Sequence, residues 1–398
     1  MDRLHNSRST IIRRMAWPEG ESRPLGAPLQ PSVVYSVESP DALDALYEGQ
    51  AEGWIYAREG HPNAATLAAR IDAMEGAEGG IVVGSGMAAI TAVMLGLCQA
   101  GDHVIGGDQL YGKSLKMLRD DLPALGISTD LVDATSAEAV AAVCRPETKL
   151  ILVEVVSNPT IRVADIEGIA ALARERGIKL VVDNTFTTPR GFPAYAAGAD
   201  VVLHSVTKLL SGHSDTTLGY VVARDPDDQA AMLQASATWG LTASPFDCWL
   251  AERGLFTFDL RYDRCEENAA SLANYLADQP GVLRVLYPGR SDHPDAERAR
   301  TLLSGRFGTM VSFEIKGGRA AANALVRAMP NVPFAPTLGD IGTTLSHPVT
   351  SSHRALSTED RAAIGISEGF FRVSVGAEEI SALKEEFGTG LRAAADLR

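Results

Sequence analysis

Between residues 64 and 205 short apolar runs alternate with helical periods, and this rhythm narrows the possible folds more than any other feature of the chain. The amphipathic stretch "AATLAARIDAMEG" precedes strand "GGIVV" and helix "MAAITAVMLGLCQA". Strand "HVIGG", helix "SLKMLRDDLPALG", strand "STDLVD", helix "AEAVAAVC" and strand "KLILVEV" come next. Helix "IEGIAALARERG" and strands "KLVVDN" and "ADVVLHS" complete the series. Strands that are apolar throughout must be covered on both faces, so the pattern predicts an α/β fold with a mostly parallel sheet between helical layers. Such sheets bind ligands beyond the carboxyl ends of their strands. The residues that follow each apolar run are therefore the candidates for chemistry.

Outside this block the text changes. Residues 1–55 are rich in Pro, Ser and Gly and read as an extended arm that needs a surface to lie on, which a neighbouring subunit would supply. Residues 56–245 form the large domain. Residues 246–398, with helix "SLANYLADQ", strands "LRVLY" and "GTMVSFEIKGG", helix "AAANALVRAM" and the late "GFFRVSVG", read as a smaller C-terminal α+β domain. A chain of 398 residues exceeds what one hydrophobic core usually holds, which agrees with this division.

The formal charge of −14 works against a nucleic-acid surface and favours small-molecule chemistry. Cys98, Cys144, Cys248 and Cys265 lie far apart without CxxC spacing, so we expect buried thiols in a reducing compartment and neither a disulfide framework nor a metal site. The basic N-terminus lacks the apolar core of a signal peptide, and no segment approaches the ~18 apolar residues of a membrane span. The expectation is a cytoplasmic protein with no membrane or nucleic-acid partner.

Two short motifs invite nucleotide readings. "GSGMAA" fits a dinucleotide fingerprint at Gly84, Gly86 and Ala89, with Asp108 downstream, and "GDQLYGKS" fits a phosphate loop from Gly107 to Ser114. Asp108 and Tyr111 fall inside that supposed cradle, where small residues usually let backbone amides reach phosphate. Neither motif uses the lysine in "VVLHSVTKLLSGHSD".

A single site absorbs all of these loops. Asp183 ends one strand and Lys208 follows another, 208 − 183 = 25 residues later, the length of one strand-helix-strand unit. An acid and a lysine at neighbouring strand ends, with Ser205, Thr207 and a helix N-terminus nearby, suit pyridoxal 5'-phosphate. The lysine would form the Schiff base, the acid would keep the pyridine nitrogen protonated, and the hydroxyls and amides would hold the phosphate.

At these residues the chain resembles the pyridoxal-phosphate enzymes of the trans-sulfuration group, which includes cystathionine γ-lyase, cystathionine γ-synthase, methionine γ-lyase and the O-acylhomoserine sulfhydrylases. The resemblance runs from about residue 30 to the C-terminus, with the motifs in family order. It implies a fold-type-I pyridoxal-phosphate transferase architecture. In "HSVTKLLSGHSD" it places Lys208 at the Schiff-base position and Ser205 and Thr207 at the phosphate, and in "VVDNTFTTP" it places Asp183 at the ring nitrogen. "GSGMAAI" brings the amides of Gly86 and Met87 to the phosphate, and "QLYGKS" gives Tyr111 for ring stacking and proton transfer.

Through "WIYAREGHPN" the resemblance assigns Tyr56 and Arg58 to a neighbouring subunit's phosphate, with Tyr56 a second candidate proton donor. It thereby implies a homotetramer built as a dimer of dimers with shared sites. "EVVSNPT" supplies Glu154 and Asn158, and "FFRVSVGAEE" supplies Arg372, whose planar fork suits a bidentate grip on an amino-acid carboxylate. Thr343 falls at a further substrate-side position, and no metal is implied.

The implied reaction is γ- or β-elimination or replacement on a sulfur amino acid or O-acylhomoserine, by a carbon-sulfur lyase or γ-replacement transferase of cysteine and methionine metabolism. Lys208 would move the protons, and Tyr111 or Tyr56 would protonate the leaving group. A fold-type-I aminotransferase is the alternative enzyme, and a non-catalytic cofactor-binding module the alternative outside catalysis. The chain departs from the family pattern at "HPN" (residues 61–63), at Lys113 after "YG", and at Gly342, where enzymes specific for cystathionine often carry an acid. The last departure removes a partner for cystathionine's distal amino group and keeps a sulfhydrylase, a methionine-type lyase and a specialised γ-replacement enzyme open.

Overall fold

The computed structural model describes residues 21, 22, 24–354 and 356–396, so part of the expected arm, residues 1–20 and 23, lies outside the described residues. Seven strands form the large sheet: β1 (Ile81–Val83), β2 (His103–Gly107), β3 (Ser128–Val132), β4 (Thr148–Glu154), β5 (Lys179–Asp183), β6 (Val201–Ser205) and β7 (Gly219–Ala223), in the order β1-β7-β6-β5-β4-β2-β3. The run from β6 to β3 is parallel, while β7 is antiparallel to both β6 and β1. The predicted strands appear within one or two residues of their expected bounds. β7 carried no helix-strand rhythm and comes as an addition.

Side chains of a strand alternate between faces, and that alternation separates two cores here. Val182, Val202 and Val222 join Leu67 and Ile71 of helix Pro62–Glu75 on one face. Val181, Val201 and Val221 join Ala89, Val93 and Leu97 of helix Gly86–Leu97 on the other. The stretch expected as one helix from Ser114 is broken into an α-turn (Gly112–Lys116), a π-turn (Met117–Asp121) and a last α-turn that contains Pro123, which has no N–H to continue the ladder.

A second sheet, wholly antiparallel in the order β10-β11-β9-β8, comprises β8 (Val282–Leu286), β9 (Met310–Ile315), β10 (Thr344–Ser346) and β11 (Phe370–Ser374). Helix Phe258–Ala277 spans both units: Phe258 and Tyr262 sit in the first core, whereas Leu272 and Leu276 sit under the second sheet with Phe313, Phe371 and Phe387. Helix Pro245–Leu255 seats Cys248 and Ala251 in the first core, so the larger unit extends past residue 245.

All four cysteines are free thiols, Cys248 and Cys265 buried but Cys98 and Cys144 only half-buried because each closes a helix at its C-terminal end. Among the described residues no helix is long and apolar enough to cross a membrane.

Candidate active site

The parallel strands deliver Glu154, Asp183 and Ser205 to one edge of the large sheet, where Glu154 is in register with Asp183 and Asp183 with Leu203. Burial raises the pKa of Asp183, and hydrogen bonds from Thr185 oppose that rise. The Thr185 amide donates to Asp183 Oδ1 at 3.0 Å, and the Thr185 hydroxyl accepts the Ser205 amide at 2.8 Å. Thr185 therefore ties the acid to the serine of the next strand. Its only mark in the sequence was its place in "DNT".

Lys208 lies in the turn after β6, with its ammonium donating to Thr337 Oγ1 at 3.2 Å. Burial lowers its pKa, and the guanidinium of Arg372 lowers it further. Arg372, on β11 and 5% exposed, donates from Nη1 to Asn158 Oδ1 at 2.7 Å and from Nη2 to the Thr337 carbonyl at 2.6 Å. Its Nε has no partner among the described residues, and burial pushes its pKa down to about 10. Thr337 thus orients both cations. It sits in a loop between the sheets without any motif, which is why sequence reasoning missed it.

Tyr111 follows β2 and places its amide on Glu154 Oε1 at 2.7 Å, and Glu154 Oε2 is buried with no partner among the described residues. Burial and the neighbouring Asp183 carboxylate both hold the pKa of Glu154 well above the ordinary carboxylate range. The Tyr111 ring is 42% exposed at the mouth, and Lys113 beyond it is exposed.

Across from Ser205, helix Gly86–Leu97 begins with Ser85 capping the Ala88 amide at 3.0 Å. The amides of Gly86 and Met87, in the first turn, have no carbonyl within the helix to accept them. A Cβ on Gly86 would lie 2.6 Å from Ser205 Cβ, so only glycine lets this helix end approach the strand end so closely. The Thr207 hydroxyl accepts the Leu218 amide at 2.9 Å and lies 3.2 Å from the Leu218 carbonyl.

Three expected residues stand apart. Tyr56 and Arg58 belong to a limb on which Arg58 lies 5.0 Å over the Tyr56 ring, and among the described residues no hydrogen bond joins either to the strand-end cluster. Thr343 is buried with its hydroxyl donating to Glu378 at 2.8 Å and accepting the Gly376 amide at 2.9 Å, so it is committed to its own loop.

The donor set fits pyridoxal phosphate: a buried acid, a lysine made less basic, free helix amides beside Ser205 that suit an anion, and polar atoms on Glu154 and Arg372 that have no partner among the described residues. Comparison with known proteins agrees. The family model described as Cys/Met metabolism PLP-dependent enzyme matches residues 10–392. An O-succinylhomoserine sulfhydrylase of Pseudomonas aeruginosa is 39% identical over 376 residues, 94% of this chain and 92% of that protein. A cystathionine gamma-lyase of Bacillus subtilis is 38% identical over 343 residues, 86% of this chain and 90% of that protein.

Among solved structures, a cystathionine gamma synthase from Xanthomonas oryzae pv. oryzae, in complex with aminoacrylate and cysteine, superposes with a TM-score of 0.88 at 34% identity, covering 94% of each chain. With motifs, fold and near full-length likeness in agreement, the chain belongs to the Cys/Met metabolism PLP-dependent enzymes, the family that includes the trans-sulfuration lyases and sulfhydrylases.

Proposed function

We propose that the enzyme catalyses γ-replacement on an O-acylhomoserine, with sulfide or a small thiol as the incoming group. The observation that carries this reading is the state of the acids around Gly342. Asp340 accepts from the Ser214 hydroxyl and, at 2.8 Å, from the Gly342 amide, while Glu378 accepts both the amide and the hydroxyl of Thr343. Both carboxylates are oriented by bonds within their own loops and Gly342 adds no acid beside them, which favours a substrate that lacks the distal ammonium of cystathionine. The P. aeruginosa relative, named an O-succinylhomoserine sulfhydrylase, supports the same direction.

Pyridoxal phosphate, when bound, supplies an electron sink conjugated to the substrate amine. In this reading Asp183 holds the ring nitrogen, and Ser205, Thr207 and the amides of Gly86 and Met87 hold the phosphate, joined by Tyr56 and Arg58 of a neighbouring copy. Arg372, Asn158 and Glu154 face the substrate carboxylate. Lys208, less basic through burial and aimed by Thr337, takes the proton from Cα and then carries the one from Cβ. The phenol of Tyr111, or that of Tyr56 from the neighbour, protonates the departing acyl oxygen. Thr343 acts on the substrate side by fixing the loop that continues from Thr337.

The assembly we propose is a homotetramer of two such dimers, supported by Val33, Val34, Tyr47 and Trp54, which are exposed on the limb that carries Tyr56. A cytoplasmic setting suits the four free thiols.

The deciding assay offers O-succinyl- and O-acetylhomoserine, cystathionine, methionine and cysteine, each with and without sulfide. Sulfide-dependent formation of homocysteine from an acylhomoserine is expected. Ammonia and 2-oxo acid released from cystathionine at a greater specificity constant, whether or not sulfide is present, would overturn the proposal.

A further inference from the structure

Behind the sheet, on the face away from the candidate site, the end of helix Pro62–Glu75 makes contacts that the reaction above does not use. We infer that Glu75 is a positioning residue: its carboxylate fixes the carboxyl ends of β5 and β6 from the reverse face and so sets the separation between Asp183 and Ser205. The inference rests on the reading of those two residues as holders of the ring nitrogen and the phosphate.

Glu75 is 2% exposed, and its Oε1 accepts from Asn184 Nδ2 at 3.0 Å and from His204 Nε2 at 2.6 Å. Asn184 directly follows Asp183, and His204 directly precedes Ser205. Asp183 is in register with Leu203 and shares its face, so His204, one residue on, points to the opposite face. The carboxylate thus grips the immediate neighbours of the two functional residues.

Each gripped side chain is itself held. The Asn184 amide donates to the Leu203 carbonyl at 2.9 Å, its Nδ2 also reaches the Phe192 carbonyl at 2.9 Å, and its Oδ1 accepts from Thr187. His204 is fully buried against the Tyr220 ring at 6.0 Å. Asp72, three residues before Glu75, accepts the Tyr220 hydroxyl at 2.6 Å and the Gly80 amide at 3.1 Å. One helix end therefore ties β5, β6 and β7 together with two carboxylates.

The β5–β6 ladder stops at these positions, and the cofactor's planar ring and short ester arm limit the distance from ring nitrogen to phosphate to a narrow range. Strand ends that must match a rigid molecule need a brace where the ladder runs out. Stability alone explains the cluster poorly, because Glu75 Oε2 and His204 Nδ1 are buried without partners among the described residues, and apolar side chains would fill the same space without that cost.

The test titrates apoprotein with pyridoxal phosphate and reads the dissociation constant and the visible band of the bound cofactor. Glu75→Ala is expected to raise the dissociation constant by about tenfold or more and to shift the band or its pH titration. Glu75→Gln keeps an oxygen that accepts from both donors and is expected to stay within about threefold of the parent. If Glu75→Ala does not fold, His204→Phe and Asn184→Leu each remove one arm of the grip and are expected to weaken cofactor binding in the same way. An unchanged constant and band in Glu75→Ala, or in both single-arm variants, overturns the inference. Equal damage in Gln and Ala overturns it too, because charge and not the shared acceptor would then be what matters. Asp183→Asn and Ser205→Ala serve as controls: if neither alters binding or band, it is the underlying reading of the site that fails.

Discussion

Lys208 has two neighbours that set its chemistry in opposite ways: Thr337 aims its nitrogen, and Arg372 makes a proton on it less welcome. Capture of the cofactor aldehyde needs the neutral amine, so the capture rate should rise with pH through the lowered pKa of this lysine. In Arg372→Met the repulsion is gone, the pKa returns towards its ordinary value, and the rising limb moves to higher pH. Stopped-flow appearance of the visible band measures this directly, and an unmoved limb refutes the coupling. Linkage gives the stability counterpart. A lowered pKa means that the unfolded chain binds more protons than the native one between the lowered value and the ordinary 10.5, so lysine's contribution to apoprotein stability rises with pH across that window. Melting curves of the apoprotein and of Lys208→Met should therefore converge as pH rises through the window. In the loaded enzyme, Lys208→Ala should lack the borohydride-sensitive visible band and lose at least ~1,000-fold in kcat, since base and anchoring group go together.

At the level of elements, the junction of helix Gly86–Leu97 with β6 separates two kinds of change. Ser85→Ala removes a cap and should cost about 1 kcal/mol of stability while leaving cofactor affinity near its original value. Gly86→Ala puts a methyl 2.6 Å from Ser205 Cβ and 2.9 Å from its hydroxyl, so the helix end must withdraw from Ser205 and the proposed phosphate site. Overpacking of this kind costs about 1–3 kcal/mol, and here a loss of cofactor affinity by about tenfold should accompany it. Parallel melting and cofactor titrations of the two variants check the contrast, and equal affinities would refute it.

The same junction shows what the sequence made legible. The apolar runs that end in Glu154, Asp183 and Ser205 are strands because they are buried on both faces, and a strand end needs no tertiary information to be recognised. β7 is as fully buried and apolar as its neighbours but follows β6 with no helix between them, so it fell outside the alternating rhythm, and helices Pro226–Trp239 and Pro245–Leu255 went unread because their buried faces are small and mixed with polar residues. Thr337 and Glu75 reach the site region only through tertiary contacts, with partners 129 and 109 to 129 residues away, and Thr185, although it bonds Asp183 two residues back, makes its tie to Ser205 across 20 residues. No local pattern encodes such distances.

In the whole molecule, the limb with Tyr56 and Arg58 lies a short turn ahead of helix Pro62–Glu75, whose far end holds Glu75, so the part assigned to a neighbour's phosphate and the proposed brace under the chain's own site flank one helix. Shared sites make a numerical prediction. Let Arg58→Ala and Lys208→Ala subunits, each nearly inactive alone, be unfolded together in equal amounts and reassembled. If each site takes Lys208 from one chain and Arg58 from its neighbour, a mixed dimer has one site with both defects and one with neither. Half of the randomly formed dimers are mixed and each carries one good site of two, so activity should recover to about a quarter of the parent's, whatever the higher assembly. Sites built within single chains would give no recovery at all, and gel filtration of the mixture would show whether reassembly had taken place. Recovery near a quarter requires the limb to cross between subunits, whereas none in a properly reassembled sample would remove Tyr56 and Arg58 from the proposed phosphate site.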